Sequence, residues 1–111
     1  MFKLSALILL ISAPIQAHAL TQRDICEHAA KVAGFAIHSR SSGTSKIEVN
    51  EIASIIFPTN GYADSAILAE RVIDQIYELS QAQIENMKPI DKDAMEEIEI
   101  GTFRRCIDDQ W

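Results

Sequence analysis

The chain has 111 residues, 48% of them hydrophobic, with two cysteines and a formal net charge of -6. This length predicts a single domain. The negative charge argues against a nucleic-acid partner, because such binding needs many Lys and Arg side chains at the phosphates. Four glycines and three prolines are too few for a sandwich or barrel, which turns every ~8–12 residues. The composition therefore predicts an all-α fold.

Residues 1–19 have the pattern of a secretory signal peptide, with Lys3 before the apolar run 4–11 and small residues at Ala17 and Ala19. A membrane anchor is the weaker interpretation, because the run is far shorter than the ~20 residues that span a bilayer. We expect cleavage after Ala19 and a periplasmic or secreted domain at 20–111 with no membrane anchor. Loss of Lys3 makes the net charge of -6 one unit more negative.

The two cysteines, Cys26 and Cys106, lie near the two ends of the mature chain. Export permits a disulfide, and two cysteines allow only one intramolecular pairing. The C-x-x-C spacing of redox enzymes is absent. Cys26 and His28, two apart on a helix, point in different directions and are poorly placed to share a metal. We expect a structural disulfide from the first helix to the last, with an intermolecular bond and metal or redox chemistry as alternatives.

The first predicted helix runs from Thr21 to about Arg40 and is rich in alanine. We expect His28 and His38 to lie largely on its polar side, solvated rather than catalytic. Apolar and small side chains recur along the helix every three or four residues and predict its buried face: Ile25, Cys26, Ala29, Ala30, Val32, Ala33, Ala36 and Ile37.

The second predicted helix follows a loop in which Gly43 suits a left-handed conformation. Ser45 and Glu48 form a capping pair at its start, and Pro58 stops it. Residues 49–57 are rich in β-branched side chains and would fit a strand, but no partner strand is evident. Four side chains are predicted to form the apolar face of the helix: Ile47, Ile52, Ile55 and Ile56.

A third helix is predicted from Asp64, with Ser80 as a position where it either breaks or continues. A fourth begins at Asp91 or Asp93, with a buried side of five residues: Met95, Ile98, Phe103, Cys106 and Ile107. The third helix takes its apolar set from helical spacing: Ile67, Leu68, Val72, Ile73, Ile76, Tyr77, Leu79 and Ile84. The predicted fold is a small three- to four-helix bundle closed by one disulfide.

No motif predicts an enzyme. The sequence lacks G-x-S-x-G, H-E-x-x-H and a P-loop. The segment 91–95 resembles a calcium loop only in its first acids, because it lacks the third ligand and the glycine. Glu96 and Glu97 could form a carboxylate pair, but no aromatic sugar platform accompanies them. We therefore expect no catalytic residue, no cofactor and no metal.

Acidic residues concentrate at the start of the last predicted helix. A negative face can steer a basic protein partner, as in immunity proteins and inhibitors of toxins or cell-wall hydrolases. It can also serve only solubility. The leading hypothesis is a non-enzymatic periplasmic protein that binds a protein partner, and the alternative is an immunity protein or inhibitor. The face comprises Asp91, Asp93, Glu96, Glu97 and Glu99.

Several of these features occur together: Cys26, an alanine-rich helix followed by Gly43, an isoleucine-bearing helix ending near Tyr77, and the spacing Phe103-x-x-Cys106. In this combination the chain resembles the uncharacterised small exported two-cysteine helical proteins of Gram-negative bacteria and their phages. Ser80 departs from the pattern, which would place a proline after the tyrosine helix. The resemblance implies a helical fold, an exported location and the pairing of the two cysteines, but no activity.

Overall fold

The computed structural model describes residues 21–59 and 62–108. Within these ranges the secondary structure is entirely helical, which confirms the all-α prediction. The predicted signal peptide lies outside the described residues. There are five helices in the described chain: α1 (Gln22–Ser41), α2 (Lys46–Ile56), α3 (Ala63–Glu78), α4 (Gln81–Met87) and α5 (Lys92–Ile107).

The prediction of three to four helices is wrong, because the chain breaks after α3 and starts a separate short helix. Ser80 makes the break by forming a capping box. Its hydroxyl accepts a hydrogen bond from the Gln83 backbone N–H at 3.1 Å, and the Gln83 side chain accepts one from the Ser80 N–H at 2.8 Å. Such reciprocal bonds satisfy helix N–H groups that lack an intrahelical partner. Ile84 anchors α4 in the core.

The caps at the starts of α1, α2 and α5 agree with the sequence, whereas α3, with Tyr62 at its N-cap position, begins without a side-chain cap. Thr21 accepts a hydrogen bond from the Asp24 N–H, and Asp24 accepts one from the Thr21 N–H. Ser45 caps α2. Asp91 caps α5 by accepting from the Ala94 N–H at 2.9 Å. These side chains fix where each helix begins, because they replace the missing backbone acceptors of the first turn.

The alanine-rich α1 is the central helix of the fold. Both α3 and α5 pack along it and make few contacts with each other. Its burial extends beyond the predicted face, because Gly34 and Ser39 are buried as well. A helix covered from more than one side needs small residues around much of its circumference. The alanines of α1 meet this requirement.

A disulfide joins Cys26 of α1 to Cys106 of α5, as predicted. The two Cα atoms are 5.5 Å apart, although 80 positions separate the residues in sequence. Both sulfur atoms are engaged in this bond, so neither cysteine is a free thiol or a metal ligand. The covalent link holds the start of the first helix against the end of the last.

On α3 and α5, two predicted core positions lie at the surface instead. Ile67 of α3 is 55% exposed and Ile107 of α5 is 39% exposed. Each lies at the edge of its helix's apolar stripe, which is wider than the strip of surface that α1 covers. On α3 the centre of the predicted stripe is buried as expected, at Val72, Ile73 and Ile76.

Candidate binding surface

The N-terminal end of α2 is fixed to α3 by polar contacts. The Lys46 ammonium lies 2.6 Å from the Asp74 carboxylate. The Tyr77 hydroxyl donates a hydrogen bond of 2.6 Å to the carbonyl of Thr44, just before the helix. Burial raises the pKa of the Tyr77 hydroxyl above its ordinary value of 10.0, against the opposing influence of the Arg40 guanidinium. Tyr77 is thus a partly buried residue that packs against the core, with its hydroxyl bonded at the edge.

Arg40 of α1 adds further contacts beside those between α2 and α3. Its guanidinium donates to the carbonyl of Ile76 at the end of α3 and lies over the Tyr77 ring, 5.7 Å from the ring centre. The last carbonyls of a helix lack intrahelical donors, and a cation there is also favoured by the helix dipole. Arg40 therefore ties the C-terminal ends of α1 and α3 together beside the start of α2.

The C-terminal end of α2 is fixed to α1. The His28 Nε2–H donates to the carbonyl of Phe57 at 2.8 Å, because a carbonyl oxygen can only accept. The Phe57 ring meets Phe35 edge-on, with centroids 5.9 Å apart. The Nδ1 atom of His28 is buried without a hydrogen-bond partner. The expectation that His28 is solvated is wrong, whereas His38 is exposed as expected.

The inner side of α2 consists of small residues. Val49 is fully buried and Ala53 is 4% exposed. A cavity of about 180 Å³ lies beside Ala53, between α2, α1 and α3. It is smaller than the ~300–1,000 Å³ typical of small-molecule sites. The volume of this cavity therefore does not favour a small-molecule site on the inner side of α2.

The outer side of α2 carries its large apolar residues, which we name the isoleucine face: Ile47, Ile52, Ile55 and Ile56. Ile47 is 73% exposed and Ile55 is 78% exposed. Ile56 is 52% exposed and Ile52 is 37% exposed. The prediction that these side chains form the buried face is wrong, because Val49 and Ala53 occupy the contact with the core instead.

Two carboxylates lie within the isoleucine face. At about 100° of rotation per residue, Ile47, Ile55 and Ile52 spread over an arc of about 140°. Glu48 and Glu51 fall inside this arc, and both are exposed. The surface is therefore apolar and negatively charged at once.

The sequence contains a signal for this surface. Counting Val49 and Ala53 together with the isoleucines, apolar residues surround most of the circumference of α2. A helix with only one buried stripe does not need so many. This excess of apolar residues indicates a second contact surface on α2. The prediction of a single core face overlooks that surface, because it assumes that the largest residues point inward.

The predicted acidic face of α5 is partly brought together by the fold: Asp91, Glu96 and Glu99 line one cavity of about 360 Å³ beside His38 of α1. Asp93, Glu96 and Glu97 are exposed on the outer side of the helix. Asp91 is used as the helix cap. Glu99 is half-buried, and its side chain lies over the backbone of α1 at Gly34. Four of the five predicted residues are thus exposed, and Glu99 is half-buried.

Residues 21–59 and 62–108 contain no group of three or more potential His, Cys, Asp or Glu metal ligands. Across those same ranges, no helix combines the length and apolarity that crossing a membrane requires. The sequence matches no protein-family model, and its comparison with curated proteins and with solved structures finds no match. The resemblance to exported two-cysteine proteins stays a prediction.

Proposed function

We propose that this chain is a small periplasmic, non-enzymatic protein that acts by binding a protein partner through the isoleucine face of α2. The observation that carries the proposal is the exposure of Ile47 and Ile55 on a single 11-residue helix. Contiguous exposed apolar patches on small soluble proteins often mark interaction sites. Burying a fully exposed isoleucine contributes about 1.5–3 kcal/mol, so this helix offers a substantial driving force for association.

The anchoring of α2 supports the same proposal. Contacts at Lys46 and at Phe57 hold the helix at both ends. A partner then meets a surface that is already ordered, and association does not have to offset the entropy of folding a segment.

A periplasmic location is part of the proposal. The disulfide between Cys26 and Cys106 is compatible with an oxidising exported compartment. The signal-peptide pattern of residues 1–19 favours the same location.

The charges on the isoleucine face favour a cationic partner. Glu48 and Glu51 would lie against the partner's surface, where Lys or Arg side chains can pair with them. A second copy of the face would instead oppose carboxylate to carboxylate. This favours the second candidate function, an immunity protein or inhibitor of a basic toxin or cell-wall hydrolase.

Site-specific photo-crosslinking in the periplasm tests the binding proposal. A photoreactive amino acid at position 47 or 55 should give a discrete crosslinked product of one defined mass. The matched control is position 100 on α5, because Ile100 is also exposed, at 52%. The proposal is overturned if positions 47 and 55 give no product, or if position 100 gives the same one.

The inhibitor candidate has its own test, with a cationic lysozyme as the probe. The protein should slow hydrolysis of cell-wall material by the lysozyme, and the double variant Glu48→Gln, Glu51→Gln should lose this effect. The double variant Asp93→Asn, Glu96→Gln is the control, with the same charge change at two exposed positions of α5. No inhibition, together with crosslinking from position 55, would reject the inhibitor and leave partner binding in place.

A further inference from the structure

A groove runs between α3 and α5, on a different surface from the isoleucine face. Both helices pack on α1 but make few contacts with each other. The groove has a volume of about 240 Å³. We name it the α3–α5 groove; its walls are mostly apolar and include Val72, Ile76, Leu79, Ile98, Gly101 and Thr102.

Gly101 lies on this groove, in the interior of α5. Nothing in the described fold of a single chain requires a glycine at this position. No heavy atom lies within 4 Å of the position that its Cβ would occupy. A glycine in an exposed helix interior is less favourable than alanine. What glycine offers in return is a bare backbone that another helix can approach closely.

The charges on the two sides of Gly101 have opposite signs, so the patch is complementary to a second copy of itself. Glu97 lies four residues before it and Arg105 four residues after it, and both line the groove and are exposed. Each is about 6 Å along the helix axis from Gly101. If a second α5 crosses antiparallel at Gly101, Glu97 of each copy faces Arg105 of the other.

We propose that two copies of this chain form a symmetric dimer through α5, crossing at Gly101, with the α3–α5 groove covered by the second copy. A two-fold interface uses the same patch twice, so a patch whose opposite charges flank its centre meets its own complement. Two Glu97–Arg105 pairs form across the interface. The guanidinium carries five N–H donors, so Arg105 keeps any contact within its own chain while it binds the second copy.

The net charge of -6 on each chain does not prevent this association. Exposed charges more than about 8 Å apart are largely screened at physiological ionic strength. The paired charges at the interface are closer than that and attract each other. The crossing point itself is uncharged, since Gly101 and the apolar groove walls occupy it.

Sedimentation equilibrium of the disulfide-bonded mature protein tests the dimer. The wild type should show a reversible monomer–dimer equilibrium. Glu97→Arg or Arg105→Glu alone should raise the dimer dissociation constant roughly tenfold or more, since like charges then face each other twice. Circular dichroism of each variant checks that the helices are intact.

Mixing the two single variants gives the decisive measurement. An equimolar mixture of Glu97→Arg and Arg105→Glu should dimerise more tightly than either variant alone, because positions 97 and 105 are then both basic in one copy and both acidic in the other. Variants Glu96→Arg and Arg104→Glu are matched controls, with the same spacing one residue earlier on α5, and should leave the dimer unchanged. The proposal is overturned if the wild type is monomeric throughout, if mixing restores nothing, or if the control variants disrupt the dimer equally.

Discussion

Glu99 of α5 lies directly over the backbone of Gly34 in α1. A Cβ built on Gly34 would lie 2.9 Å from the Glu99 Cγ, closer than side chains pack. The bare backbone of Gly34 is therefore what allows α5 to approach α1 at this point. Gly101 presents the opposite case, because nothing surrounds its missing Cβ.

These two glycines predict opposite responses to alanine. Gly101→Ala should stabilise the monomer by up to about 1 kcal/mol, since alanine has the higher helix propensity. Gly34→Ala should gain nothing or lose stability, because the Glu99 side chain must move. Urea denaturation at concentrations where the chain is monomeric measures both changes. Equal gains at the two positions would show that α5 does not contact α1 at Gly34.

The assignment of the core is tested by comparing a buried isoleucine with an exposed one. Ile73 is 1% exposed, whereas Ile55 is 78% exposed. Ile73→Ala should cost about 2–5 kcal/mol of unfolding free energy, as expected for a buried truncation. Ile55→Ala should change it by no more than about 0.5 kcal/mol. Comparable losses at both positions would contradict the outward orientation of α2.

The disulfide should contribute stability rather than shape. In the chain-entropy model a closed loop of this length predicts a contribution of about 4 kcal/mol, and measured values are often lower. The double variant Cys26→Ser, Cys106→Ser should therefore keep its helical circular dichroism in the cold and lose about 2–4 kcal/mol of stability. A melting curve indifferent to the substitution would contradict this role.

Tyr77 predicts that the stability of the fold depends on pH in the alkaline range. The pKa of its hydroxyl is raised by burial, so the folded state favours the neutral phenol. This contribution is present below the ordinary pKa of 10.0 and is lost as the pH rises through the raised pKa.

Tyr77→Phe should accordingly cost about 0.5–1.5 kcal/mol at neutral pH, because the hydrogen bond to the Thr44 carbonyl is lost. Its stability should then fall less steeply above about pH 10 than that of the wild type. Thermal melts over a pH series measure both effects. An unchanged slope of stability against pH in the alkaline range would show that the Tyr77 hydroxyl is not held by the Thr44 carbonyl.

Local chemistry makes much of this fold predictable. Thr21, Ser45 and Asp91 are side chains whose oxygens replace missing backbone acceptors, so each marks a helix start from the sequence alone. Gly43 adopts a φ of 89°, a conformation that glycine reaches without steric cost. Cys26 and Cys106 have only one intramolecular pairing available.

The features that the sequence does not predict depend on tertiary packing. Whether Val49 or Ile55 faces the core is decided by how closely α2 lies against its neighbours, and helical spacing alone fits both. The separate α4 does not follow from the sequence, because Ser80 can cap a new helix or lie within a continuous one. The groove at Gly101 arises only once α3 and α5 are both placed on α1.

The affinity for the crosslinked partner tests the central claim, that the isoleucine face is the binding surface. Isothermal titration of the purified partner compares the wild type with Ile55→Asp and, as the control, Ile100→Asp. A side chain at the centre of an interface commonly contributes about 2 kcal/mol or more, so Ile55→Asp should raise the Kd at least ~30-fold and Ile100→Asp should leave it unchanged. Unchanged binding by Ile55→Asp, or an equal loss in both variants, would contradict the claim.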